Sequence, residues 1–327
     1  MPWLILALLA TDPLFATQTR EMMTTRVTVA MFGADPAAAR RGFDAAFAAF
    51  GRVNEVMNEW EPDSVLGRIN RGAGARKGVA APRDLCEVLQ IAIDGARKTD
   101  KLFDPTWAAL RDVWKFDASH SGQVPPPETL VRRCSLVDAR SIQITRHGSG
   151  CTVRLPKKGM ALGLGGIAKG WGVDRAVAKL RSLGLRDFFV QAGGDLYAAG
   201  MRGDRPWRVG IRDPRGGPED TLGLVEVRDA AFSTSGDYEH WFEVEGIRYH
   251  HIIDPRTCQP ARASQQSTVL AKTATDAEVL TKATFILGGE AGLALAHRNS
   301  AAAVLVDADG HVRASPELEG RIAWTRR

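Results

Sequence analysis

The chain has 327 residues, 44% of them hydrophobic and 25% charged, which is globular material for one large domain or two intimate ones. Its formal charge of +5 comes from scattered arginines, with no basic block and no aromatic-basic stripe. That argues against a nucleic-acid binder and leaves a solvated surface that helps attract an anionic ligand.

Residues 3–10 are apolar but too short to span a bilayer. With Ala16 as a small residue at a cleavage point, residues 1–16 read as a signal-like segment and imply an exported, periplasmic protein. The segment is atypical: no Lys or Arg precedes the apolar run, and Asp12-Pro13 follows it closely. A first strand or a frayed tail is the competing reading, with a cytoplasmic location. Residues 17–327 then form a single domain. Residues 25–32 alternate as a strand. Residues 37–57 place Phe43, Phe47, Phe50 and Val53 on one face of a helix. A break at 58–63 precedes a short helix at 64–70, capped by Ser64 or Asp63, and a second long helix runs over 84–99. Phe103-Asp-Pro-Thr-Trp107 is a turn, 110–116 reads as helical, 119–127 as a loop, and 141–155 as a hairpin turning at 147–150.

Gly163, Gly165, Gly166, Gly170 and Gly172 crowd the middle of the chain, and an amphipathic run follows at 173–183. A glycine loop running into a helix start is a ready anion site. The bare backbone approaches the ligand, and the first-turn N–H groups point at negative charge. Lys169 adds a cation. Gly163-Leu-Gly165-Gly-Ile-Ala168 also satisfies the dinucleotide pattern G-x-G-x-x-A, with Asp187 about 20 residues on. The strand before it, 152–155, is short and is interrupted by Pro156. Tight helix–strand packing without a ligand explains the same glycines. A strand at 187–192 and a turn at Gly193-Gly-Asp195 complete a βαβ-like centre.

Strands follow at 205–214 and 222–227, a hairpin at 241–251, a strand at 267–271, helices at 275–287 and 292–298, and a strand at 301–307. Helices cluster early and hairpins late, so the fold class is α+β in two interlocked lobes. No internal repeat is visible. Cys86, Cys134, Cys151 and Cys258 are far apart with no C-x-x-C, so a cysteine zinc site is not expected. Unpaired, half-buried thiols are expected, with two disulfides open to an exported chain.

Polar islands stand at element ends, and their order and wording resemble the FAD:protein FMN transferases, the ApbE-type flavin transferase family. The resemblance runs from about residue 20 to about residue 289. It begins with Arg20-Glu-Met-Met-Thr-Thr25 and Trp60-Glu-Pro-Asp-Ser64, then Phe103-Asp-Pro-Thr106, Gly165-Gly-Ile-Ala-Lys-Gly170 and Gly193-Gly-Asp195. Gly210-Ile-Arg-Asp-Pro214, Ser233-Thr-Ser-Gly-Asp-Tyr238 and His251-Ile-Ile-Asp-Pro-Arg-Thr257 follow. Each fragment is weak alone; together, in family order, they are specific.

The resemblance implies a T-fold-like architecture, with mixed or antiparallel sheets flanked by helices and the active site in the cleft between the lobes. It implies FAD as substrate, a Mg2+ ion, and transfer of FMN to a Thr or Ser hydroxyl of an acceptor redox protein, with AMP released. Carried over by position, Met23, Trp60, Phe103 and Asp104 hold the flavin nucleotide. Gly165, Lys169 and Ile253 line its phosphate and adenylate path. Lys169 and His251 are the catalytic pair, His251 as base with His250 as its fallback. The carbonyl of Ala168 faces the metal. Trp60 and His251 also fit packed, structural roles, and Asp195 and Asp237 fit structural turns.

The chain departs from the family's late helical motif, T-x-A-D-A-L-x-T, whose Asp and Thr bind the metal. Here Thr275-Asp-Ala-Glu-Val-Leu-Thr-Lys282 puts Glu278 at the Asp position and Lys282 at the Thr position. A protonated lysine cannot ligate. Lys282 either places an ammonium where metal charge would sit or pairs with Glu278 one turn away on a helix surface. Gly163, Cys258 and Thr24 also depart from the usual family residues. Two rival readings remain: an FAD-binding protein of this fold without metal-dependent transfer, and a nicotinamide oxidoreductase using the glycine pattern.

Overall fold

The structure, a computed structural model, describes residues 15–116 and 122–325. The signal-like segment lies outside the described residues up to residue 14, as does part of the loop expected at 119–127. Ala16, the expected cleavage point, is paired with Met31 in the first strand. Among the described residues no helix is long and apolar enough to cross a membrane.

The first hairpin joins β1 (Phe15–Met22) to β2 (Thr25–Phe32) through Met23 and Thr24, both at positive φ. Asp35 caps α1 (Pro36–Met57) by accepting from the N–H groups of Ala37 and Ala38. Ser64, not Asp63, caps α2 (Val65–Arg71). Next come β3 (Val79–Pro82), α3 (Arg83–Lys98) and a 3-10 turn at Pro105–Leu110; the helix expected at 110–116 is not formed, residues 111–113 being a turn and 114–116 irregular. α4 (Pro127–Cys134) leads to the hairpin of β4 (Gln143–His147) and β5 (Gly150–Arg154). After α5 (Ala168–Ser182) come β6 (Phe188–Ala192), β7 (Asp195–Ala199), β8 (Trp207–Arg212), β9 (Thr221–Val227) and β10 (Ala230–Gly236). A hairpin of β11 (Trp241–Val244) and β12 (Ile247–His250) precedes the short pair β13 (Ile253–Asp254) and β14 (Gln259–Pro260). The chain closes with β15 (Ser264–Ala271), α6 (Ala274–Leu287), α7 (Gly289–Arg298), β16 (Ala302–Asp307), β17 (Val312–Ala314) and β18 (Ile322–Trp324).

The main sheet has eight strands in the order β1-β2-β6-β7-β10-β15-β16-β17, every neighbouring pair antiparallel. Alternation along β2 sorts its side chains. Val27, Val29 and Met31 face α1 and α5, packing with Phe43, Phe47, Phe50, Val173 and Leu180. Ala30 faces the other way, into a core shared with Phe189, Trp207, Val209 and Val225 under the β18-β9-β8 sheet. A second lobe holds the β3-β5-β4 sheet, α2 and α3 around Leu66, Ile69, Leu85, Leu89, Val153 and Ile167. α1 belongs to both cores, Phe43 to Phe50 in the first and Val53 to Met57 in the second. The expected α+β class with two interlocked lobes holds, and its sheets are antiparallel.

Three expectations are corrected. The centre is not βαβ: β5 and β6 lie in different sheets, so α5 bridges the lobes. α5 also starts at Ala168 and takes Gly170 and Gly172 into the helix. A Cβ on Gly170 would lie 2.4 Å from the Ala274 carbonyl oxygen, and one on Gly172 would lie 2.7 Å from Phe50. Close approach of α6 and α1 outweighs the low helix propensity of glycine. The cysteines are also paired rather than free: Cys86–Cys151 ties α3 to β5, and Cys134–Cys258 ties α4 to the turn between β13 and β14. Sequence spacing hides such pairs, because the tertiary fold is what brings the Cα atoms to 6.0 and 5.7 Å.

Candidate active site

Where α5 meets α6, two lysines and two acids converge. The Lys169 ammonium donates to Glu278 Oε1 at 2.6 Å and to the Gly165 carbonyl at 3.0 Å, and it lies 3.2 Å from Asp195 Oδ2. Lys282 Nζ is 3.6 Å from the same Glu278 oxygen. The other Glu278 oxygen accepts from Gly170 N–H at 2.7 Å. Asp195, at the start of β7, accepts from the Ser233 hydroxyl at 2.5 Å, which gives the Ser233-Thr-Ser island a place in the site. Glu278 is fully buried and the Asp195 side chain is 3% exposed, while the lysine side chains are 25% and 23% exposed. The acids thus sit behind and the cations in front. The i,i+4 pairing of Lys282 with Glu278 does form, but at a carboxylate inside the protein and not on a helix surface.

Burial works against charge on Lys169, but Glu278 and Asp195 outweigh it and raise its pKa. Burial lowers the pKa of Lys282, with Lys169 adding to the effect and the two acids opposing it. Glu278 is raised by burial and by Asp195 against the pull of both lysines.

The glycine loop does not present a set of free donors. Glu59 aims its carboxylate at the N–H of Leu164, and the N–H of Gly165 also stabilises its anion. Arg111 holds the other Glu59 oxygen at 2.6 Å. With Gly170 N–H given to Glu278, side-chain acids take the N–H groups of Leu164, Gly165 and Gly170, three donors an N–H phosphate cradle would use. Positive charge for an anion comes from the lysine side chains instead. Gly165 keeps an open side all the same: a Cβ there would have only Glu59 within reach, at 3.8 Å. With β5 ending at Arg154 and the Leu164 and Gly165 N–H groups given to Glu59, the dinucleotide pattern lacks its leading strand and part of its donor set. Glu59 and Arg111 escape sequence reasoning; Glu59 stands one residue before the Trp60-Glu-Pro island and is not part of it.

His250 and His251 differ sharply. His250 Nε2 is 2.7 Å from the Ala261 carbonyl, and its Nδ1 accepts from Ile252 N–H at 3.3 Å. Both nitrogens are committed, so the fallback base is excluded. His251 is half-buried, stands edge-on to His240 at 5.3 Å, and has a buried Nδ1 without a hydrogen-bond partner among the described residues. Burial pushes its pKa down to about 3, and His240, His250 and Lys282 add to the shift. The imidazole is therefore neutral, and one ring nitrogen is unspent.

The profile of the ApbE family matches residues 23–306. The chain belongs to the ApbE family. An FAD:protein FMN transferase of Treponema pallidum is 34% identical over 313 residues, covering 91% of this chain and 86% of that relative. Another, of Vibrio cholerae, is 31% identical over 258 residues, covering 78% and 75%. Among solved structures, the ApbE protein of Thermotoga maritima superimposes with a TM-score of 0.84 at 28% identity, covering 94% of this chain and 99% of that one.

Other positions carried over from ApbE proteins fall into two groups. Phe103 lies against the glycine loop, 3.3 Å from where a Cβ on Gly166 would be, with Lys282 Cε at 3.7 Å from the same point. Ala168 opens α5 beside Lys169. Trp60 stands apart on the rim, 65% exposed, with the Arg111 guanidinium 4.3 Å over its ring. Met23 sits in the β1–β2 turn between the two cores. Ile253 packs with Leu110, Trp114 and Val137. The Asp104 carboxylate is committed: it accepts from Thr106 N–H and hydroxyl and from Ala139 N–H. It fixes the turn that places Phe103 and offers no free oxygen of the kind a direct nucleotide contact uses. Asp237 likewise clamps Arg215 with two bonds of 2.7 Å, a structural role.

Proposed function

We propose that this chain transfers FMN from FAD to a Thr or Ser hydroxyl of an acceptor redox protein and releases AMP. The observation that carries the reading is the Lys169–Glu278–Asp195–Lys282 cluster beside a neutral His251, in a chain whose relatives bear the name FAD:protein FMN transferase.

In the proposed step the acceptor oxygen attacks the phosphorus on the FMN side of the FAD diphosphate. The bond from that phosphorus to the AMP phosphate oxygen breaks, and AMP leaves with it. The hydroxyl proton goes to His251. A neutral imidazole is the form that accepts a proton, and an approaching diphosphate raises its proton affinity. Lys169, held charged by two buried acids, takes up charge on the phosphate oxygens. Phe103, Trp60 and Met23 are the residues assigned to the flavin nucleotide, with Asp104 fixing the Phe103 turn. Gly165 and Ile253 line the diphosphate and adenylate path.

Mg2+ is the remaining expectation, with the Ala168 carbonyl, Glu278 and the position of Lys282 around it. The donor set does not fit a divalent ion. One of the three positions holds an ammonium, and a second, Glu278, already meets two ammonium groups and a backbone N–H. No step is therefore routed through a metal.

The two disulfides support an exported protein, since such bonds persist in oxidising compartments. The test of the activity is incubation with FAD and candidate acceptors, read by intact mass and by AMP release. Covalent FMN on an acceptor Thr or Ser together with free AMP is expected. FAD binding without either product would make the chain a flavin carrier and overturn the reading.

A further inference from the structure

We propose that Lys282 and Lys169 act as a built-in dication for the FAD diphosphate, so that this chain binds and turns over FAD without a divalent ion at Glu278. The inference rests on the flavin reading above and specifies how that site handles charge.

The cluster closes its own charge count. With both lysines protonated and both acids ionised, Lys169 and Lys282 match Glu278 and Asp195 charge for charge, at N–O distances of 2.6 to 3.6 Å. With an uncharged residue at position 282 the same cluster would carry a net negative charge, a setting that draws in a metal ion. With lysine there the cluster is neutral, and a divalent ion beside Glu278 would face both ammonium groups a few ångströms away.

The layout also suits an anionic ligand. The acids are buried, and each lysine side chain keeps about a quarter of its surface exposed. Lys282 Cε lies 3.7 Å from the position of a Cβ on Gly166, so its stem runs along the glycine loop. Gly165, next in that loop, leaves open space on its Cβ side. Lys282 is also near enough to His251 to lower its proton affinity. An ammonium there donates hydrogen bonds to phosphate oxygens and carries its charge on a flexible stem, without needing the oxygen ligands a metal demands.

The experiment measures FAD affinity by flavin fluorescence quenching, and FMN transfer in a single turnover, in EDTA and in Mg2+. The full chain is used with both disulfides intact. Wild-type protein is expected to bind FAD equally well in both buffers and to transfer FMN in both. Lys282→Thr is expected to lose about tenfold or more in affinity in EDTA and to recover it with Mg2+. Lys282→Met, which keeps the stem and removes the charge, is expected to lose affinity in EDTA to a similar degree. Wild-type binding or transfer that vanishes in EDTA and returns with Mg2+ overturns the inference and leaves the flavin reading intact. Wild-type affinity retained by Lys282→Met in EDTA overturns it too. Absence of FAD binding in both buffers overturns the flavin reading and this inference together. The wild-type comparison decides the matter even if either variant fails to fold.

Discussion

Two acids, Asp174 half-buried and Glu278 fully buried, tie α5 to α6 in opposite directions. Asp174, on α5, accepts from the N–H groups of Ala274 and Thr275 at the start of α6, at 2.8 and 2.9 Å, and from the Thr275 hydroxyl. Glu278, on α6, accepts from Gly170 N–H near the start of α5. Each helix thus lends a carboxylate to the other's first turn, where the helix dipole favours negative charge. The difference lies in what fills the remaining acceptor capacity: a neutral hydroxyl at Asp174, two ammonium groups at Glu278. Burial raises the pKa of both acids, so neither burial nor a shifted pKa separates scaffold from site. The partners do. Neutral donors make a cap; cations reaching in from the cleft make a charged front.

The widest break between the two acids is expected in catalysis. Lys169→Met removes the cation that both Glu278 and Asp195 hold, and should slow FMN transfer by about 100-fold or more. Asp174→Asn should leave the transfer rate unchanged, because the hydrogen bonds of Asp174 go to Ala274 and Thr275 and not to the lysine cluster. Single-turnover transfer, measured well below the unfolding temperature of each variant, checks both. Equal losses in the two variants would erase the distinction.

Stability should reverse the ranking of interest. Asp174→Ala leaves the first N–H groups of α6 without an acceptor at a buried helix–helix contact. A cost of about 2 kcal/mol is expected in urea unfolding, with FAD affinity unchanged. A loss of FAD affinity that tracks the loss of stability would mean that α6 cannot hold Glu278 and Lys282 in place without this cap.

The sequence shows the scaffold side of this comparison better than the site side. The spacing of Phe43, Phe47 and Phe50 reveals α1, the glycine at 246 marks the β11–β12 turn, and Val27, Val29 and Met31 reveal the buried face of β2. Local periodicity is enough for those. The start of α5 is hidden because Gly170 and Gly172 read as loop until Ala274 and Phe50 stand against them. The disulfides are hidden because Cys134 and Cys258 are 124 residues apart. Lys169, Glu278 and Lys282 can be singled out by family position, but not their convergence. Asp195, a turn acid by its neighbours, enters the cluster only through the pairing of β7 with β10. Glu59, one residue before Trp60, gives no periodic signal, yet it takes the N–H groups of Leu164 and Gly165 from the glycine loop.

The smallest effect expected is a pH slope, and it isolates Asp174. Burial raises its pKa above the ordinary 3.8, although the Thr275 and Ala274 donors oppose the shift. An acid raised in this way holds its proton more readily in the folded chain than in the unfolded one. Its contribution to stability is therefore greatest below pH 3.8 and declines as the pH climbs past the folded value. Asp174→Asn has no such proton, so the stability of wild type relative to the variant should shrink from about pH 4 to about pH 7, read from urea midpoints. His250 and His251 carry the opposite sign. Their folded pKa values are pushed down to about 4 and about 3, so their neutral forms lose stability as the pH falls below 6.5. Both histidines are common to the two proteins and cancel in the difference. A relative stability that grows with pH instead would mean that the three donors outweigh burial and that Asp174 caps α6 as a full anion, which would bring it closer to Glu278 than the partners alone suggest.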